Sequence, residues 1–208
     1  RAPAAGLHLD TARHATIVFD VSAVPANLLD LDVAYPVIGH HIGKLVGSAV
    51  PVIVGAPAGL SEDRLKAIGS AGASSGSLAM FHVVGSTPEA PDLETACGGR
   101  VPTDRHMITA ADLRTARDQL TTSTNAKLGA ISLGTPHYSV PEFARLIELL
   151  GDRRIHPDIH AYVNTGRSVA HELDLRGWST RLADAGVQLV TDTCTYITPV
   201  MADIHGTA

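Results

Sequence analysis

Three short stretches of this chain carry side chains suited to chemistry on a small acidic molecule. The first is Thr165-Gly166-Arg167-Ser168, which follows an apolar run and opens a helical pattern. A helix start offers free N–H groups and the positive end of the helix dipole, and a guanidinium fork matches a carboxylate. Thr165, Arg167 and Ser168 are therefore candidate substrate-binding residues; the alternative is a capped helix with a solvent-exposed arginine. The second is His137, after Gly134-Thr135-Pro136. An imidazole generally titrates near neutrality and suits proton transfer, which makes His137 a candidate catalytic residue, although a lone histidine is more often a hydrogen-bonded structural group. The third is Cys194, which closes Thr191-Asp192-Thr193-Cys194 and is a candidate metal ligand. A buried, inert thiol is the competing outcome there. Cys97, between Ala96 and Gly98-Gly99, has less to recommend it.

All three stretches terminate strand candidates: residues 128–133, 159–163 and 187–190. In parallel α/β sheets the carboxyl ends of the strands line one crevice, where ligands bind. The first strand is followed by a helix signal, with Ser139 as N-cap, Glu142 at the third position and Gly151 at the end. Two helical pieces, 168–175 and 178–185, meet at Gly177 and stop at Gly186. Upstream, strands are expected at 14–21, 50–55 and 77–84, with a possible short one within 101–108. Helices are expected at 37–46, where Pro36 and Gly39 interrupt the pattern, from Ser61 to about residue 73, and from Thr109 to Leu120 behind a capping-box signal with Asp112. Residues 92–96 suggest one helical turn, and 121–125 a polar loop. Repeated β-then-α units argue for an α/β fold of mainly parallel sheets covered by helices, a three-layer α/β/α arrangement. A break near 100–108 divides the chain into an expected α/β subdomain at 1–100 and another at 101–208.

Composition narrows the function classes. With 208 residues and 45% apolar content the chain is long enough to bury a substantial core. A formal charge of −5 and no Lys/Arg cluster argue against a nucleic-acid partner. No apolar stretch reaches the ~20 residues that span a bilayer, so no membrane role is expected and a cytoplasmic location is the default. Two cysteines form neither a disulfide framework nor, alone, a structural zinc site. The chain starts at Arg1 and stops after Gly206-Thr207-Ala208, as a piece of a longer protein or one chain of a split one would. No Gly-x-Gly-x-x-Gly follows a strand, and no Walker-type Gly-Lys-Ser/Thr motif is present.

The combination of motifs resembles the aconitase X family. Ala73-Ser74-Ser75-Gly76, Phe81-His82-Val83-Val84 followed by Gly85-Ser86-Thr87-Pro88-Glu89-Ala90-Pro91, Ser132-Leu133-Gly134-Thr135-Pro136-His137-Tyr138-Ser139 and Asp192-Thr193-Cys194 occur in that family's order, over about residues 14–204. The resemblance implies an aconitase-like fold and a hydro-lyase that removes water from a small hydroxy acid, with an iron or iron–sulfur centre as Lewis acid. Cis-3-hydroxy-L-proline is the implied substrate, and a phosphomevalonate dehydratase-like subunit the alternative. It also implies that Cys194 is a metal ligand, that Ser74 and Ser75 line the pocket with His137, and that Glu89 is a second acid–base candidate; a surface-loop carboxylate is the other reading of Glu89. Thr135 stands where the family often has the cysteine of Gly-Cys-Pro-His, which leaves the cluster type open. A swivel domain or small subunit, supplied in cis or in trans, would complete the site. The rival classes are a non-catalytic α/β binding or scaffold subunit and a metal-independent isomerase using the same loop edge.

Overall fold

The computed structural model describes residues 6–100, 102, 104–122, 128–195 and 197. They form two compact units, 1–122 and 123–208. In the first unit, α1 (Asp10–Arg13) leads into β1 (Ile17–Asp20), followed by α2 (Ala26–Leu29), α3 (Ala34–Leu45), β2 (Pro51–Val54), α4 (Glu62–Ser75), β3 (His82–Val83), α5 (Leu93–Ala96), β4 (Asp104–Met107) and α6 (Ala110–Gln119). The strands are parallel in the order β3-β2-β1-β4. Alternation along the strands separates two apolar layers. Ile17, Phe19, Ile53 and Val83 pack with Ile38, Ile42, Ile68, Leu113 and Ala116 of the long helices. Val18 and Val52 face Ala15, Ala90, Ala96 and Cys97 on the other side. This follows from handedness: two right-handed crossovers running from β1 to β3 place α3 and α4 on one face, and the return to β4 must use the other.

Helix α3 contains both expected interruptions. Pro36 falls in the first turn, where a missing N–H breaks no helical bond. Gly39 and Gly43 sit where α3 and α4 touch through their backbones: a Cβ on Gly39 would come within 2.3 Å of Ile68 O, and one on Gly43 within 2.3 Å of Gly72 O. The strand expected over 77–84 pairs only at His82–Val83. Leu78 instead packs over α4, filling the space that a side chain on Gly72 would need. Residues 104–107 extend the first sheet beside β1, and α6 packs onto its core, so the chain divides after Thr122 and not near residue 100. The expected loop at 121–125 lies partly outside the described residues.

The second unit is β5 (Ala130–Leu133), α7 (Val140–Leu150), β6 (His160–Thr165), α8 (Arg167–Leu175), α9 (Trp178–Asp184) and β7 (Val187–Thr191). Its sheet is parallel in the order β5-β6-β7. Both crossovers advance the same way, so one face takes the helices: Phe143, Ile147, Leu173 and Leu182 pack on Ala161, Val163 and Val187. Ser139 accepts the Glu142 N–H and the Glu142 carboxylate accepts the Ser139 N–H, the reciprocal cap that fixes where α7 starts. The fold is parallel sheets flanked by helices, as the sequence pattern predicts.

Candidate functional site

The carboxyl ends of β5, β6 and β7 converge on one edge of the second unit, and each loop there is tied to another. After β5, Gly134 turns at φ +85°, and a Cβ on it would meet Asn164 O at 2.1 Å and Asn164 N at 2.7 Å. The first loop thus lies against the end of β6 with no room for a side chain. Tyr138 N donates to Asn164 O at 2.9 Å, and the Thr165 hydroxyl donates to Tyr138 O at 2.8 Å. Thr165 is fully buried, so its oxygen secures the His137 loop.

The third loop closes over the same edge. His137 Nε2 lies 3.1 Å from Thr193 O. A carbonyl only accepts, so Nε2 carries the proton in this contact and Nδ1 is the basic nitrogen of the neutral ring. Thr135 Oγ1 and Cys194 Sγ are in hydrogen-bond contact at 3.6 Å. Behind them, Ser132 Oγ and Thr195 Oγ1 share a hydrogen bond of 2.7 Å. Asn164 Nδ2 donates to Leu133 O at 2.9 Å and to Thr195 Oγ1 at 3.5 Å.

The start of α8 is capped from outside its own sequence. Gly166 has no side chain to accept a first-turn N–H, and Asp192 does so instead, with Arg167 N donating to Oδ1 at 3.0 Å. Arg167 Nε donates to the other carboxylate oxygen. The Arg167 amide and its guanidinium hold the Asp192 carboxyl below the usual range. Arg167 is 85% exposed, and Ser168 is also exposed on the first turn of α8. Asp192 was legible as a loop residue but not as the partner of Arg167. The available signal was a helix start at a glycine, which requires a cap from elsewhere.

His137, Thr165, Arg167, Ser168 and Cys194 therefore all belong to one edge. The remaining candidates belong to the first unit. Ser74 Oγ donates to Ser70 O at 2.7 Å, and Ser75 Oγ to Ala71 O at 2.6 Å and His40 O at 3.1 Å, so both hydroxyls are turned back onto helix carbonyls in the last turn of α4. Glu89 is held by the guanidinium of Arg13, with Arg13 Nε 3.0 Å from Oε2, at the rim of a pocket of about 220 Å³ shared with Asp10, His14, His82 and Thr95. Asp20, at the tip of β1, is nearly buried. Burial pushes its carboxyl up, but hydrogen bonds from Ser22 and Arg105 outweigh this and hold it low.

Among the described residues no group of three or more His, Cys, Asp or Glu side chains is placed to hold a metal ion. The second-unit edge offers one thiol, and Cys97 is fully buried in an apolar layer that pushes its thiol up. These donors do not fit a complete iron or iron–sulfur centre. No helix among the described residues is long and apolar enough to cross a membrane.

Two parallel sheets flanked by helices, with the polar loops at strand ends, define an α/β framework of the kind that binds ligands at its strand ends. The profile of the aconitase X second domain matches residues 15–118, and that of the third domain residues 128–207. The chain belongs to the aconitase X family. It is 38% identical over 195 residues to a cis-3-hydroxy-L-proline dehydratase of Pseudomonas aeruginosa, covering 93% of this chain and 33% of that protein. It is 34% identical over 202 residues to a phosphomevalonate dehydratase large subunit of Methanothermobacter thermautotrophicus, covering 96% of this chain and 47% of that one. The crystal structure of Thermococcus kodakaraensis aconitase X in its holo form superposes with a TM-score of 0.79 at 26% identity, covering 96% of this chain and 49% of that one. The chain thus spans a third to a half of the length of these relatives.

Proposed function

We propose that this chain forms part of a hydro-lyase that dehydrates a small hydroxy acid, cis-3-hydroxy-L-proline being the first candidate. The convergence of Arg167, His137 and Cys194 on one sheet edge carries the reading, together with a 38% identical relative of that activity. Arg167 and Ser168, at the exposed first turn of α8, take the substrate carboxylate, which displaces the Asp192 carboxylate from the guanidinium. Removal of water next to a carboxylate requires a proton to leave the neighbouring carbon. We assign removal of that proton to His137, whose ring is oriented by Thr193 O, as the hydroxyl on the adjacent carbon leaves as water. Thr165 works from behind, by holding the loop.

Cys194 would supply one thiolate to an iron or iron–sulfur centre acting as Lewis acid, and the other donors would have to come from beyond the described residues. A swivel domain or small subunit completes the site; the name of the Methanothermobacter relative, a large subunit, supports a partner of that kind. Ser74, Ser75 and Glu89 remain proposed contributors from the first unit, and the second-unit assignment stands without them. The protein is proposed to work in the cytoplasm. The test is iron reconstitution of the full-length protein under anaerobic conditions with its partner supplied. Sulfur-to-iron absorption and dehydration of cis-3-hydroxy-L-proline are expected, and Cys194→Ala should abolish or reshape the absorption. Turnover of a phosphorylated mevalonate alone would move the substrate to the second relative's. A chelator-resistant conversion of the hydroxy acid without loss of water would replace the hydro-lyase with a metal-independent isomerase.

A further inference from the structure

Asn164 has no role in the chemistry above, yet it is fully buried at the centre of the three loops. Its amide orientation is fixed by its neighbours. Leu133 O can only accept, so Nδ2 must face it at 2.9 Å. The same Nδ2 reaches Thr195 Oγ1 at 3.5 Å, and that hydroxyl is also bonded to Ser132 Oγ at 2.7 Å. Its backbone oxygen takes the Tyr138 N–H, and its backbone is the surface against which Gly134 lies. One residue therefore touches the chain just before Thr135, the chain just after His137, and the residue directly after Cys194. Its own Oδ1 is buried and has no hydrogen-bond partner among the described residues, so the side chain serves its neighbours more than itself.

We propose that Asn164, acting with Ser132 and Thr195, is a positioning residue that holds the Cys194 loop in register with the Thr135–His137 loop. The donor of the third strand end is thereby fixed against the first. This deepens the reading of the edge as part of an active site and rests on it for its catalytic consequence, but the positioning itself is measurable without turnover.

The experiment uses the full-length protein with Asn164→Asp and Thr195→Val. Asn164→Asp keeps the shape and removes the Nδ2 donor; Thr195→Val removes only the hydroxyl that Asn164 and Ser132 share. Iodoacetamide labelling of Cys194, followed by peptide mass after chelation, reads the loop directly, and buried Cys97 is the internal reference. Both variants should label Cys194 about tenfold faster, and kcat should fall about ten- to a hundredfold with KM changed less than about threefold, as expected when a reacting group is displaced by a fraction of an ångström to an ångström. A residue needed only for folding would lower the melting temperature and leave cold labelling at the parent rate, and that result overturns the proposal. If Asn164→Asp does not fold, Thr195→Val decides alone by the same labelling rate. Faster labelling with unchanged kcat would leave the positioning role standing and remove Cys194 from the reaction, which would refute the proposed function and not this one.

Discussion

Replacing Gly134 by alanine tests how closely the first loop approaches the end of β6. Gly134 adopts φ +85°, and an added Cβ would stand 2.1 Å from Asn164 O and 2.7 Å from Asn164 N. Both partners are backbone atoms, so relief cannot come from a rotating side chain. Bringing the closer contact to an ordinary separation needs a shift of about 1 Å between adjacent strand ends, in an interior packed too tightly to absorb it freely. Gly177 supplies the control: it is left-handed at φ +69° and ψ +13°, and nothing lies within 4 Å of its added Cβ. Gly177→Ala should cost only the left-handed backbone strain, about 1 kcal/mol. Gly134→Ala adds the clash and should cost about 3–5 kcal/mol, in the range reserved for buried structural faults. Urea unfolding followed by circular dichroism measures both, and the substituted loop should also lose dehydratase turnover. Equal losses in the two variants would refute the close approach and the loop arrangement built on it.

Thr165→Val keeps the shape of a fully buried residue and removes the donor to Tyr138 O. It should destabilise by about 1–3 kcal/mol through the stranded carbonyl, and an unchanged urea midpoint would show that this hydroxyl secures nothing. Asp192→Asn tests the charge at α8. Because the folded carboxyl is held low, its ionised form favours the folded state above the ordinary carboxylate range near pH ~4, and that contribution is lost as pH falls through the lowered value. The variant should melt below the parent at pH 7, and the two should converge in strong acid; a difference constant with pH would count against the assignment.

What the sequence revealed and what it hid divide along the range of the interactions. The caps at Ser61, Thr109 and Ser139 each join residues three apart, and all three helices begin where those pairs predict. Strands β1, β5, β6 and β7 are buried or half-buried runs with the right period. Strand β4 falls inside the possible short strand expected within 101–108, but Asp104-Arg105-His106-Met107 is an exposed edge with one apolar residue, so its pairing with β1 and the division after Thr122 had no apolar signature. Gly39 reads as a helix interruption until α4 is seen against it. The convergence of Arg167 with Asp192, and of Thr135 with Cys194, joins residues 25 and 59 apart and has no local signature. Asn164 was equally silent, since a polar residue just past the end of an apolar run shows nothing of what it will clamp.

The ion pair at α8 also bears on which solutes can interfere with this edge. The Arg167 guanidinium is not an empty receptor: a carboxylate on the same chain already occupies it. An incoming acid must win an exchange against a tethered rival whose local concentration is on the order of millimolar or above. Chloride offers only charge, and sulfate and phosphate offer the guanidinium little beyond the carboxylate hydrogen bonds Asp192 already supplies, so none of them gains much by displacing it. The resident carboxylate acts as a filter against the salt of its surroundings.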